Sequence, residues 1–210
     1  MAQKTTDVFR PRLCLIAPPL EGAKALDTLR QALSAGDVAS VLFPAPSALL
    51  DDAAKITQEA GAAALIAQTG DIDLSTFDGL HLEGDASAVE TFRNRHPDHI
   101  IGHGGVAVRH DAMVAGESGA DYVAFGRLQD MSAPLPLPQR LELVSWWSDI
   151  FEVPCIAPAE DLGAANALAA AGADFIAVGD WVWNHENGAA EAVKALNLML
   201  DSHAEDEVPA

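Results

Sequence analysis

Positive charge is scarce in this sequence: four Lys and eight Arg face 31 Asp and Glu, for a formal net charge of -19. Such a surface repels polyanions, which argues against nucleic acid or an anionic membrane as partner and requires a local exception for any phosphorylated ligand. Cysteine is equally sparse. Cys14 and Cys155 lie in apolar runs without metal-ligand spacing, so buried thiols in a reducing cytoplasm are expected rather than a disulfide. No run reaches the ~18 apolar residues of a membrane span. The opening MAQKTTDVFRPR has no apolar signal-peptide core, so export is not expected and the location inferred is cytoplasmic. Low-complexity blocks are also missing, because the 16 Gly and 12 Pro are dispersed between short apolar runs.

Half of the 210 residues are hydrophobic, and their arrangement is repetitive. Strand-length aliphatic runs recur at Leu13-Ala17, Ser40-Phe43, Ala63-Gln68, Gly79-Leu82, His99-Gly102, Tyr122-Gly126, Pro154-Ala157 and Phe175-Gly179. Ala-rich helical stretches fill most of the intervals, and the link Thr69-Asp78 is too short for a long helix. Runs that are apolar at consecutive positions suit parallel strands covered on both faces. Gly119-Ala-Asp-Tyr-Val-Ala-Phe-Gly126 and Gly172-Ala-Asp-Phe-Ile-Ala-Val-Gly179 repeat one device. A Gly ends a helix, Ala-Asp turns the chain and an aliphatic strand follows. Asp121 and Asp174 then lie where strands begin, where a stabilising role is expected. An open doubly wound sheet also produces β/α repeats, but the count of eight favours a single α/β domain, a (β/α)8 TIM barrel. Its boundaries are 13-202, with an N-terminal extension at 1-12 and an acidic flexible tail at 203-210.

A barrel of this kind places its chemistry at the C-terminal strand ends. Asp71, Glu83 and Asp85 follow neighbouring strands and are candidates for a Mg²⁺ site or an acid/base pair; the alternative is solvated loop acids, with Asp85 capping a helix. His81 and His103 are candidate proton-transfer groups. His81 could equally be a hydrogen-bonded core residue, and His103-Gly104-Gly105 a bare turn rather than a ligand-approach segment. Arg127, with Arg109 nearby, is the cation best placed to grip a carboxylate or phosphate, unless it pairs with Asp130 or Glu160. Gln68, Asp180 and Trp181 complete the candidate substrate-binding set, with Gly104, Gly105 and Arg127. After the seventh and eighth runs, Pro158 lacks an N–H while Glu160 and Asp180 add negative charge, a poor phosphate cradle. Trp181 and Trp183 could lid the mouth or enter a subunit contact.

Asp78-Gly-Leu-His-Leu82, Ile101-Gly102 and Gly119-Ala-Asp-Tyr-Val-Ala-Phe-Gly126 resemble the thiamine phosphate synthase and thiazole tautomerase family. The resemblance implies the barrel fold, Mg²⁺, and joining of an aminopyrimidine methyl group, carried as its pyrophosphate, to a thiazole phosphate. It implies Asp71 and Asp85 as metal ligands. The family's Gln-x-Arg-x-Lys corresponds to Leu42-Phe-Pro-Ala-Pro46, its Asn-Asp-Arg falls near Ala67-Gln-Thr-Gly-Asp71, and its Thr-x-Thr-Lys loop becomes Gly126-Arg-Leu-Gln-Asp-Met131. Cations are thus lost after the second, third and sixth runs, and impaired or altered activity is expected. A related enzyme acting on a less charged substrate, with His103 or His81 and Glu83 as acid/base groups, and a non-catalytic ligand-binding or regulatory barrel are the other functions considered. The expected partner is a small molecule, and a homodimer is the default assembly.

Overall fold

A computed structural model of the chain describes residues 10–67 and 73–205. Eight parallel strands close a barrel in chain order: β1 (Arg12–Ile16), β2 (Val38–Phe43), β3 (Ala63–Ile66), β4 (Gly79–Glu83), β5 (Ile100–Gly104), β6 (Tyr122–Ala124), β7 (Cys155–Pro158) and β8 (Phe175–Val178). β8 returns to pair with β1, setting Leu13 opposite Ile176. Each lies within about two residues of its expected run, because an aliphatic stretch bounded by Gly, Asp or Pro leaves the strand little room to slide. The outer layer is α1 (Ala23–Leu33), α2 (Leu50–Glu59), α3 (Ala88–Arg95), α4 (Arg109–Glu117), α5 (Leu137–Ser148), α6 (Leu162–Ala170), α7 (Asp180–Trp183) and α8 (Ala189–Glu205). No helix intervenes between β3 and β4 among the described residues, as the short link implies.

Alternation along the strands separates two apolar layers. Cys14, Ile16, Leu42, Leu65, Tyr122, Ala124, Ile156 and Ala177 form the lumen cluster. Leu13, Leu15, Val41, Phe43, Ile101, Val123, Phe125 and Cys155 belong to the layer between strands and helices. Both cysteines are free and buried. Burial pushes the Cys14 thiol up to about 11 and that of Cys155 to about 12, so neither is a poised nucleophile.

At the opposite end from the mouth, one acid per pair of strands stitches the barrel floor. Asp78 accepts the Ala64 amide at 2.7 Å, Asp121 that of Ile101 at 2.7 Å, and Asp174 that of Cys155 at 2.7 Å. Each acid stands immediately ahead of one strand and binds the first turn of the strand before it. Asp37, ahead of β2, performs the equivalent task through Arg12, whose Nε and Nη2 donate at 2.8 and 2.7 Å. The repeated Ala-Asp turn is therefore an inter-strand clamp, and Arg12 already belongs to β1 rather than to an extension. At the other terminus α8 continues beyond residue 202, where His203 Nε2 meets Asn166 Oδ1 at 3.0 Å. Among the described residues no helix is long and apolar enough to cross a membrane.

Candidate functional site

The loops after β1, β2, β6 and β8 enclose a cavity of about 310 Å³ at the C-terminal mouth. Ile16, Phe43 and Pro44 supply apolar wall, while Glu21, Asp130 and Asp180 are its charged members. No Lys or Arg lines it among the described residues. A smaller cavity of about 180 Å³ adjoins, sharing Gly179 and Asp180 and adding Glu160 and Trp181. Of the sequence candidates among the described residues, Asp180 lines both cavities and Trp181 the second.

α7, which carries Trp181 and Trp183, packs against the strand ends. Trp181 donates its indole N–H to Ala159 O at 3.2 Å, and Trp183 donates to Ile16 O at 2.6 Å. These bonds tether the segment after β8 to the ends of β7 and β1, so both tryptophans frame the mouth. Of the adjacent tryptophans on α5, Trp147 is buried, whereas the Trp146 ring carries the Arg109 guanidinium 4.9 Å from its centroid.

Beneath the mouth lies a polar column. His81 is fully buried in the lumen, and its Nδ1 meets the Tyr122 hydroxyl at 2.9 Å with the rings stacked 5.7 Å apart. Its Nε2 faces Glu83 Oε1 at 3.7 Å, beyond hydrogen-bond distance, and has no other partner. Two lumen-facing glycines make this arrangement possible. A Cβ on Gly102 would fall 1.9 Å from the Tyr122 ring, and one on Gly104 would fall 2.5 Å from His81 Nε2. Gly104 therefore leaves room for the imidazole of His81. Gly105 has a φ of 76° and turns the chain out of β5.

Glu83 accepts from Arg127 Nε at 3.0 Å through one oxygen and from the amides of Leu128 and Gln129 at 2.8 and 3.0 Å through the other. Burial favours its neutral form, but His81 and the two amides outweigh that and hold the carboxyl down at about 2. A carboxylate so stabilised is a weak base at neutral pH. Because the folded value lies below the ordinary 4.5, the stabilisation is complete above pH 4.5 and lost as pH falls through about 2. The stability difference between wild type and Glu83→Gln should therefore shrink across that window. Urea melts at stepped pH check this, and a constant difference would contradict it.

The remaining candidates are dispersed. His103 has the opposite strand parity from His81 and faces the helical layer, so it does not reach the large cavity. Burial, with His81 adding, depresses its pKa, and Asp111, Glu83 and Asp85 only partly oppose this. Strand alternation, which consecutive apolar residues conceal, thus turns His103 away from the lumen. Asp85 is exposed and closes a turn by accepting the Ser87 amide at 3.0 Å. Gln68 and Asp71 lie outside the described residues. No three His, Cys, Asp or Glu converge as a metal cluster among the described residues. Of the two expected Mg²⁺ ligands only Asp85 lies among the described residues, exposed on its turn.

Arg140 has no sequence signal of its own, since it lies within a helix rather than at a strand end, yet it projects inward from α5. Its side chain is 1% exposed, donates to Pro158 O, and grips both oxygens of Glu160 at 2.7 and 2.6 Å. Arg127 thus pairs with Glu83, Arg109 with Glu142 at 3.0 Å, and Arg140 with Glu160. Each of these cations near the C-terminal strand ends already has an acidic partner from the chain itself.

A family model described as thiamine monophosphate synthase matches residues 13–182. The chain is 39% identical to a thiamine-phosphate synthase of Hyphomonas neptunium, covering 93% of this chain and 96% of that protein. It is 38% identical to a thiamine-phosphate synthase of Rhodospirillum centenum over 90% of this chain and 97% of that one. The solved thiamine phosphate pyrophosphorylase of Pyrococcus furiosus superposes with a TM-score of 0.75, covering 91% and 96% of the two chains at 22% identity, a likeness of fold. The eight-stranded barrel and the full-length similarity together establish that this chain belongs to the thiamine monophosphate synthase family.

Proposed function

We propose that the chain joins an aminopyrimidine, activated as its methyl pyrophosphate, to a thiazole phosphate in thiamine biosynthesis, and that it does so slowly. The observation carrying this is the mouth cavity in a chain similar along nearly its whole length to thiamine-phosphate synthases. In the proposed reaction the methylene–oxygen bond breaks, pyrophosphate leaves, and the thiazole nitrogen lone pair forms the new carbon–nitrogen bond. Positive charge develops on the pyrimidine and ends on the thiazolium. Glu21, Asp130 and Asp180 favour that charge, while the apolar wall receives the rings. The same acids oppose the phosphates. A like-charge contact costs about 4 kcal/mol at an effective dielectric near 20, and no described cavity residue offsets it.

That acidity supports a second function, a non-catalytic barrel binding a neutral or cationic small molecule. Product assay with both substrates, with and without added Mg²⁺, separates the two. Slow but enzyme-proportional product formation supports the transferase; none at any protein concentration leaves the binding function. Two buried free thiols support a cytoplasmic location, and a homodimer remains the assembly we propose.

A further inference from the structure

The donors at the end of β6 already hold an anion, and it is supplied by the chain. Glu83 ends β4 and crosses the top of β5 to receive Arg127 Nε on one oxygen and two successive amides, Leu128 and Gln129, on the other. Successive backbone N–H groups beside a guanidinium form a concavity suited to a tetrahedral oxyanion as well as to a carboxylate. The Glu83 side chain is 10% exposed, whereas that of Arg127 is 60% exposed, so the cradle opens to solvent on its arginine side. Leu128 and Gln129 also line the large mouth cavity. An incoming phosphate and Glu83 would therefore compete for the same three donors.

We propose that Glu83 is a resident counter-anion: it fills an oxyanion cradle formed by Arg127 and the amides of Leu128 and Gln129, and so sets the mouth against phosphorylated ligands. The inference rests on the mouth being the substrate site. It makes Glu83 a specificity-determining residue. The carboxylate withdraws the cradle's donors from a ligand and leaves its own charge in their place. Gly105, with a φ of 76°, turns the chain out of β5 beside Glu83.

The test titrates inorganic pyrophosphate by calorimetry, at fixed low ionic strength, into wild type, Glu83→Gln, Glu83→Ala and Glu83→Ala/Arg127→Ala, each first checked for a cooperative melt. Glu83→Ala is expected to bind about tenfold more tightly than wild type or better. Glu83→Gln should gain less, because its neutral amide oxygen still competes with pyrophosphate for the two N–H groups, though more weakly than the carboxylate. Adding Arg127→Ala should abolish the gain. If Glu83→Ala does not fold, the amide resonances of Leu128 and Gln129 in Glu83→Gln decide: they should shift with pyrophosphate, and stay fixed in wild type. Equal affinity in wild type and folded variants, fixed resonances in Glu83→Gln, or a gain that survives loss of Arg127, overturns the proposal. So does a collapse of product formation in Glu83→Gln with pyrophosphate affinity unchanged, which would make Glu83 a group needed for turnover. Absence of product from wild type would remove the transferase while leaving the cradle result intact.

Discussion

Gly102→Ala is expected to lower the melting temperature by about 10 °C, the counterpart of more than about 3 kcal/mol in a domain of this size. An overpacked core that can relax loses about 1–3 kcal/mol, but here relaxation is blocked. The added carbon would lie 1.9 Å from Tyr122 Cζ and 2.3 and 2.4 Å from its two Cε atoms. Tyr122 is buried, hydrogen-bonded to His81 and stacked on it, and His81 in turn occupies the space over Gly104. Neither ring can move without the other, and the strands beneath are fixed by barrel closure. Adding Tyr122→Leu should recover part of the loss, because the shorter side chain vacates the position of the ring edge. Melting of Gly102→Ala within 2 °C of wild type, an interval of under about 1 kcal/mol, would show that the column is not close-packed.

Glu160→Ala is expected to be more damaging than Arg140→Met, although both break the same ion pair. Arg140 is 1% exposed and Glu160 45% exposed. Removing the acid strands a buried guanidinium, at a cost of about 3 kcal/mol or more. Replacing the arginine with methionine keeps an apolar stem of similar reach and leaves a carboxylate that water can solvate, so the loss is limited to about 1–2 kcal/mol. The double variant should therefore be more stable than Glu160→Ala alone, a sign reversal readable from three denaturation midpoints. Equal losses from the two single substitutions, adding in the double, would mean that the two charges are not coupled.

The barrel was legible because aliphatic runs, Gly caps and Ala-Asp turns act locally, and each fixes one strand or clamp without reference to the rest of the chain. The site was less legible because its meaning depends on which way each side chain points. His81 and His103 both lie in apolar strands covered on two faces, so nothing in the spacing assigned the first to the lumen and the second to the helices. Glu83 and Arg127 each stand at a strand end, but a contact across 44 residues of sequence separation leaves no local trace. Arg140 looked like ordinary helix composition; only the placement of α5 over the end of β7 turns it inward. The charge deficit was visible in composition. Its local form was not: the arginines near the strand ends are present but engaged with Glu83, Glu142 and Glu160.

These pairings lead to one requirement: a phosphorylated substrate meets a mouth whose charged lining, among the described residues, is acidic. Calorimetric titration of the wild-type chain with thiazole phosphate at physiological ionic strength tests this most directly. The expected result is no saturation below about 1 mM, equivalent to a binding free energy no stronger than about -4 kcal/mol. Saturable micromolar binding would contradict the account, because it would require free cationic donors at the mouth.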